Sequence, residues 1–273
     1  RPTCACRPQR RATMLGPAMP LADTSSVQPN PLIAPGDGML FEDRREEYFA
    51  IGRRALELIQ FSGALCDKPH YPRILDLPCG HGRVLRWLRA HYGYAKITAC
   101  DLDAAGVDFC ARTFDATPVL SQPDLGRVQF PEPFDLVWCG SLLTHLPPET
   151  WPGVLDSLER WTAECGVIVL SLQGRFYTSL LARGRTDIAE NIDKAALVRE
   201  FGQRGVSFQR YFETPQEPYG VTVTTPEVVG RWLQSRPNLI VRAYLEQAWG
   251  IQDVVILYKK AGYFEPLPPR AFP

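Results

Sequence analysis

The chain has 273 residues, 45% of them hydrophobic, and its 30 basic side chains are balanced by 30 acidic ones. That length and apolar content support a sizeable core in one large domain or two small ones, and the absence of net charge argues against a general nucleic-acid binder. No apolar run approaches the roughly 20 residues that span a bilayer, so no integral membrane association is expected.

Residues 1–40 are rich in Pro, Gly and Ser and carry no acidic side chain before Asp23, which predicts a disordered tail. Its arginine-rich, acid-poor opening has the composition of a transit peptide, but prolines interrupt it and no amphipathic period appears. Met14 or Met19 is the expected true start. From residue 41 the pattern turns periodic: Tyr48, Ile51, Ala55, Leu58 and Ile59 share one face of a predicted helix that ends near Gly63. Apolar and helical stretches then alternate, as RILDLP (73–78), GRVLRWLRAHY (82–92), KITACD (96–101), AAGVDFCARTF (104–114), TPVLS (117–121), FDLVWCG (134–140), PETWPGVLDSLERWTAE (148–164) and GVIVLSL (166–172). A further helix over 225–238 and two strands, 239–247 and 253–260, precede a short tail at 261–273. The eight cysteines form no CxxC pair and no His/Cys cluster at zinc-ligand spacing, so they read as reduced thiols of a cytosolic protein without a metal site.

Short apolar runs alternating with helices predict a doubly wound α/β domain, in which ligands sit at the carboxyl ends of the strands where the winding reverses. Asp-Leu-Pro-Cys-Gly-His-Gly, residues 76–82, lies at the end of the first strand, and Gly80 and Gly82 let the backbone approach a ligand. A dinucleotide fingerprint would place a third glycine at Leu85. Asp101 ends the second strand, where a carboxylate can accept hydrogen bonds from ribose hydroxyls; it or Asp103 could equally cap the next helix. The strand opening at Phe134-Asp135 ends in Cys139-Gly140-Ser141, small residues that leave room for a ligand.

Together these stretches resemble the class I S-adenosylmethionine-dependent methyltransferases, motif by motif over residues 73–172 and more loosely over 41–260. The resemblance implies a Rossmann-like, seven-stranded, mostly parallel sheet with a lid inserted after the fifth strand, at about 174–224. It implies that Asp76, Gly80 and Gly82 form the first cofactor motif, with Pro78 in place of a usual glycine and with Cys79 and His81 shaping the loop. Proline offers no N–H, so the loop holds only where no donor is needed. By the same resemblance Asp101 binds the ribose, Leu102 packs on the adenine, Gln122 or Asp124 meets the adenine amino group, and Gly140 and Ser141 lie beside the sulfonium. The helix before the first strand closes over the cofactor, with Tyr48 helping to cover it.

Within 174–224, Tyr177, Tyr211, Phe212 and Tyr219 with Arg175 and Arg210 suit a polar acceptor with flat or sugar-like faces; alternatively the aromatics pack the lid's own core. His145 follows the fourth strand and is the candidate base for a hydroxyl acceptor, or else packs the Pro147-Pro148 turn. Neither N-P-P-Y nor Pro-Cys-Gln occurs at the positions used by nucleic-acid methyltransferases, which demotes a nucleic-acid acceptor. The stretches SLLTHLP, YGVTVTTPEVV and AWGIQDVVIL resemble methyltransferases of surface-glycan and secondary-metabolite synthesis, implying a sugar hydroxyl or another small polar acceptor. Two rivals remain: a non-catalytic S-adenosylmethionine-binding partner subunit, and a nicotinamide-dependent oxidoreductase, which would lack its third glycine.

Overall fold

The computed structural model describes residues 23–40, 44–185, 191–212 and 219–262. The elements run α1 (Arg45–Leu65), β1 (Arg73–Asp76), α2 (Leu85–His91), β2 (Lys96–Asp101), α3 (Ala104–Phe114), β3 (Thr117–Leu120), β4 (Phe134–Cys139), α4 (Trp151–Trp161) and β5 (Thr162–Leu172). They continue as α5 (Arg175–Ala182), α6 (Lys194–Arg204), β6 (Val206–Arg210), β7 (Gly220–Thr224), α7 (Pro226–Gln234), β8 (Leu239–Trp249) and β9 (Gln252–Lys259). Seven strands form one sheet in the order β3-β2-β1-β4-β5-β9-β8, parallel through β5, with β9 antiparallel to both neighbours. This is the Rossmann-like, mostly parallel sheet expected from the sequence.

The period of two along each strand sends alternate side chains to opposite cores. Ile74, Leu136, Trp138, Val167, Val169, Val254 and Ile256 pack toward α1, α2 and α3. Leu75, Val137, Cys139, Ile168, Leu170, Val255 and Leu257 pack toward α4 and α7. Because both faces are covered, the central strands read as continuous apolar runs. Winding proceeds outward from β1 to β3 and then restarts at β4 on the other side of β1, which opens a crevice at the carboxyl ends of β1 and β4.

Two expectations are corrected. Residues 23–40 are not a loose tail: Thr24, Ala34 and Asp37 are buried, and Thr24 Oγ1 donates to Glu57 Oε1 at 3.3 Å. Arg86 on α2 ties this strap down, donating to the carbonyls of Asn30 (3.1 Å) and Leu32 (2.8 Å). Residues 1–22 and 263–273, the remainder of the expected tails, lie outside the described residues. Second, Tyr177 follows the alternative reading of the segment between β5 and α7: α5, α6 and the separate β6–β7 sheet form a core that buries Tyr177, Leu181, Ile192, Leu197, Val221 and Val223. Tyr177, expected on the acceptor, is 2% exposed and belongs to that packing. Among the described residues no helix is long and apolar enough to cross a membrane.

Candidate active site

The loop after β1 hangs between two neighbouring strands: Leu77 N–H donates to Trp138 O and Cys79 N–H to Cys100 O, each at 3.0 Å. The intervening Pro78 sits where neither bond asks it for a donor, so replacing a glycine there removes nothing. The two glycines do different work. Gly80 has φ +49° and a Cβ added there would meet nothing within 4 Å, so it faces open space. Gly82 has φ +78°, and a Cβ there would meet Phe114 at 2.5 Å and Cys110 Sγ at 3.1 Å, so its bareness serves packing. Gly106 on α3 belongs to the same construction, since a Cβ there would lie 2.5 Å from Gly80 O. Nothing in the sequence spacing singled it out.

Asp76 is 1% exposed and neither carboxylate oxygen has a hydrogen-bond partner. Burial, then the nearby Asp101 charge, raises its pKa well above the ordinary carboxylate value, while Arg83 and the Leu85 amide offset this only partly. Asp101 accepts from Gly80 N at 2.7 Å and from Asp103 N at 3.0 Å, so it sets the loop's shape. Asp103 is the residue that caps α3, accepting from Ala105 N at 3.0 Å. Leu102, beside Asp101, is 59% exposed, an apolar side chain held out at the strand end. Asp124 is engaged by Gly126 N and by Arg127, which leaves Gln122 as the member of that pair not used in the turn. His81 stands 3.8 Å from Asp103 at the start of α3. An orphaned buried acid, an open glycine face and an exposed leucine next to a carboxylate fit a cofactor with an amino-acid end and a nucleoside end.

On the other side of the crevice, Gly140 is required because a Cβ would strike Trp138 Nε1 at 2.7 Å. Ser141 holds φ +62°, a strained conformation for a non-glycine residue, and such strain gathers at functional sites. Ser141 N donates to Ser171 Oγ (2.8 Å), Ser171 Oγ to Gln252 Oε1 (2.6 Å), and Gln252 Nε2 back to Ser141 Oγ (2.9 Å). Ser171 and Gln252 were not anticipated, because they come from different strands.

His145 follows in the short turn Leu143–His145. Its Nδ1 lies 2.9 Å from Gly220 O, an atom that only accepts, so Nδ1 carries the proton and Nε2 keeps its lone pair. Burial depresses its pKa below the usual histidine value against the smaller effect of that bond, which keeps the ring neutral. Tyr219 stacks on it, ring centroids 4.9 Å apart and 24° from parallel, and the Tyr211 hydroxyl lies 3.4 Å from Nδ1. Burial, and then the charge of Asp101, raise the Tyr219 pKa above the usual phenol value. The structure thus gathers His145, Tyr211 and Tyr219 from the predicted set. It leaves out Tyr177, and it spends Arg175 on a bidentate pair with Glu246 (2.7 and 2.6 Å). Phe212 is 72% exposed.

Residues 74–166 match the family model for a methyltransferase domain. No curated protein matches the sequence. Among solved structures, the chain is similar to an S-adenosylmethionine-dependent methyltransferase from Clostridium acetobutylicum ATCC 824, with 13% identity over 77% of this chain and 92% of that one and a TM-score of 0.53. It is similar to the plantazolicin methyltransferase BpumL in complex with S-adenosylhomocysteine, at 14% identity over 80% and 87% with a TM-score of 0.54. It is also similar to the S-adenosylmethionine-bound CalS10, an amino pentose methyltransferase of calicheamicin biosynthesis from Micromonospora echinaspora, at 15% identity over 81% and 98% with a TM-score of 0.52. At such identities the likeness is one of fold, and the matched segment is the one that holds Asp76, Gly80, Asp101 and Ser141.

Proposed function

We propose that this chain is a class I S-adenosylmethionine-dependent methyltransferase that transfers a methyl group to a hydroxyl of a small polar acceptor, a sugar or a secondary metabolite; the match of residues 74–166 to a methyltransferase-domain model supports the reading. The observation that carries this reading is His145: a neutral, half-buried imidazole with Nδ1–H fixed on Gly220 O and a free lone pair on Nε2. A hydroxyl nucleophile needs such a base, whereas an amine does not need one that is oriented and kept neutral.

When bound, the cofactor supplies an electrophilic methyl on a sulfonium. The chain's residues do the rest. Asp76, Gly80, Asp101 and Leu102 would hold its two ends, and the small side chains at Gly140 and Ser141 would leave the line of attack open. Tyr219 and Tyr211 offer ring faces beside His145. The geometry would align acceptor oxygen, methyl and sulfur, while Nε2 takes the hydroxyl proton as the carbon–oxygen bond forms. That CalS10 is an amino pentose methyltransferase supports a sugar-like acceptor. The six cysteines among the described residues are free thiols, five of them buried, which supports a cytosolic setting.

The test is to incubate the protein with methyl-labelled S-adenosylmethionine and a small-molecule and glycan extract, then to locate the label by NMR. A methyl on oxygen is the expected result. A methyl on nitrogen or carbon would overturn the hydroxyl reading.

A further inference from the structure

The turn that presents His145 starts from a residue in an unfavourable conformation. Ser141 has φ +62°, a left-handed backbone that a Cβ disfavours and that glycine adopts freely. Polar groups from two other strands grip it there. From β5, Ser171 Oγ accepts the Ser141 amide at 2.8 Å, and from β9, Gln252 Nε2 donates to Ser141 Oγ at 2.9 Å. Ser171 Oγ donates to Gln252 Oε1 at 2.6 Å, which closes the three residues into a ring. Ser171 is fully buried, where a lost partner leaves a polar group unsatisfied, so the ring resists opening.

The conformation of Ser141 is passed on to the histidine by bonds inside the turn. Thr144 Oγ1, also fully buried, donates to Ser141 O at 2.7 Å, and His145 N donates to Leu142 O at 3.0 Å. Residues 141–145 are thereby one braced piece. At its far end His145 Nδ1 must meet Gly220 O, 2.9 Å away on β7, a strand of the separate two-stranded sheet. The seven-stranded sheet therefore holds the start of the turn, while the inserted segment receives its end. A change in the backbone at Ser141 would swing the imidazole off Gly220 O and release its tautomer.

We propose that Ser171 and Gln252 are positioning residues for His145: their ring with Ser141 keeps the left-handed start of the turn, and so aims Nε2 into the crevice. Its catalytic consequence rests on the reading of His145 as the base, but the positioning can be measured without turnover.

The test is nitrogen NMR on the whole chain with ¹⁵N-labelled histidine. There are four histidines, so His145 can be assigned by its loss in His145→Gln. The wild type should show His145 as a single tautomer protonated at Nδ1, and Gln252→Ala should turn it into two exchanging tautomers. Introduced into a chain already carrying Ser141→Gly, the same substitution should have less effect, because glycine holds a positive φ without the ring. In single-turnover transfer to the extracted acceptor, Gln252→Ala should slow the step roughly 10- to 100-fold, the scale of a small misplacement of a reacting group, with S-adenosylhomocysteine affinity nearly unchanged. Ser171→Ala, a smaller change, should show the same pattern and stands in if Gln252→Ala does not fold. A single Nδ1–H tautomer retained in the folded variants would overturn the proposal. So would an effect of Gln252→Ala that is equal with and without Ser141→Gly. Tautomers released with label transfer still at the wild-type rate would uphold the positioning and remove His145 as the base.

Discussion

The imidazole of His145 and the ring of Tyr219 lie 4.9 Å apart and nearly parallel, joining the turn after β4 to the inserted segment. Next to Tyr219, the Gly220 carbonyl accepts the Nδ1–H bond of the same histidine, so the start of β7 and the residue before it fix the tautomer and stack on the ring. Thr222 Oγ1 adds a 2.6 Å bond to Leu146 O, so three successive contacts hold the insert on this turn. A rate that depends on neutral His145 should therefore fall on the acid side. Because burial lowers its pKa, the acid limb should lie below the ordinary histidine value of about 6.5. A pH–rate profile with that limb supports the base, and a profile flat through this range removes it.

The two loop glycines should respond differently to the same substitution. Gly80→Ala places a methyl in open space at φ +49°, so it should fold, at a strain of roughly 1–2 kcal/mol, and weaken S-adenosylhomocysteine at least ~10-fold by intruding on the ligand. Gly82→Ala should instead lower the melting temperature further, because its Cβ would overlap Phe114. Thermal melts and calorimetry on the pair would separate the roles. Equal melting temperatures and equal binding for both variants would contradict them.

Besides the Arg86 and Thr24 contacts, the strap of residues 23–40 is held by a short bond from the Tyr48 hydroxyl to Asp37 Oδ2 at 2.6 Å. Tyr48→Phe leaves a buried carboxylate without that donor, a loss of about 1–3 kcal/mol. Hydrogen exchange in 24–40 should speed up and affinity for S-adenosylhomocysteine should drop. Tyr48 is thus expected to cover the site through the strap. Unchanged exchange would show that the Arg86 and Thr24 contacts secure the segment without it.

Asp253, fully buried on β9, accepts from the Tyr244 hydroxyl and from Gln247 N, both at 2.9 Å, yet burial raises its pKa from 3.8 to about 6. The folded form therefore favours the protonated acid. Its share of stability is present below about 3.8 and is lost as pH rises through about 6, on the order of 3 kcal/mol in all. Urea unfolding between pH 4 and 7 should show the wild type losing ground to Asp253→Asn across that window. A gap between the two that does not change with pH would refute the shift.

The sheet could be read from the sequence because its strands are buried on both faces and appear as unbroken apolar runs. That Asp76, Gly80 and Asp101 meet at the strand ends was readable because a strand–turn–helix–strand unit fixes their spacing. What stayed hidden depends on contacts between distant residues. The strap of 23–40 looks disordered by composition, since its bonds run from its own backbone carbonyls to Arg86. Ser171 and Gln252 are 81 residues apart and carry no local signal. Tyr177, Tyr211 and Tyr219 are the same residue type in one segment, and only packing tells which of them faces His145.

The central claim is catalysis of methyl transfer with His145 as its base, and single-turnover transfer from tritiated S-adenosylmethionine to the extracted acceptor tests it most directly. Wild-type protein should move the label onto the acceptor, while His145→Ala should slow that step by about 10² to 10⁴ and leave S-adenosylhomocysteine affinity nearly intact. Tight cofactor binding by the wild type with no label transferred to any acceptor, or transfer by His145→Ala at the wild-type rate, would contradict the account.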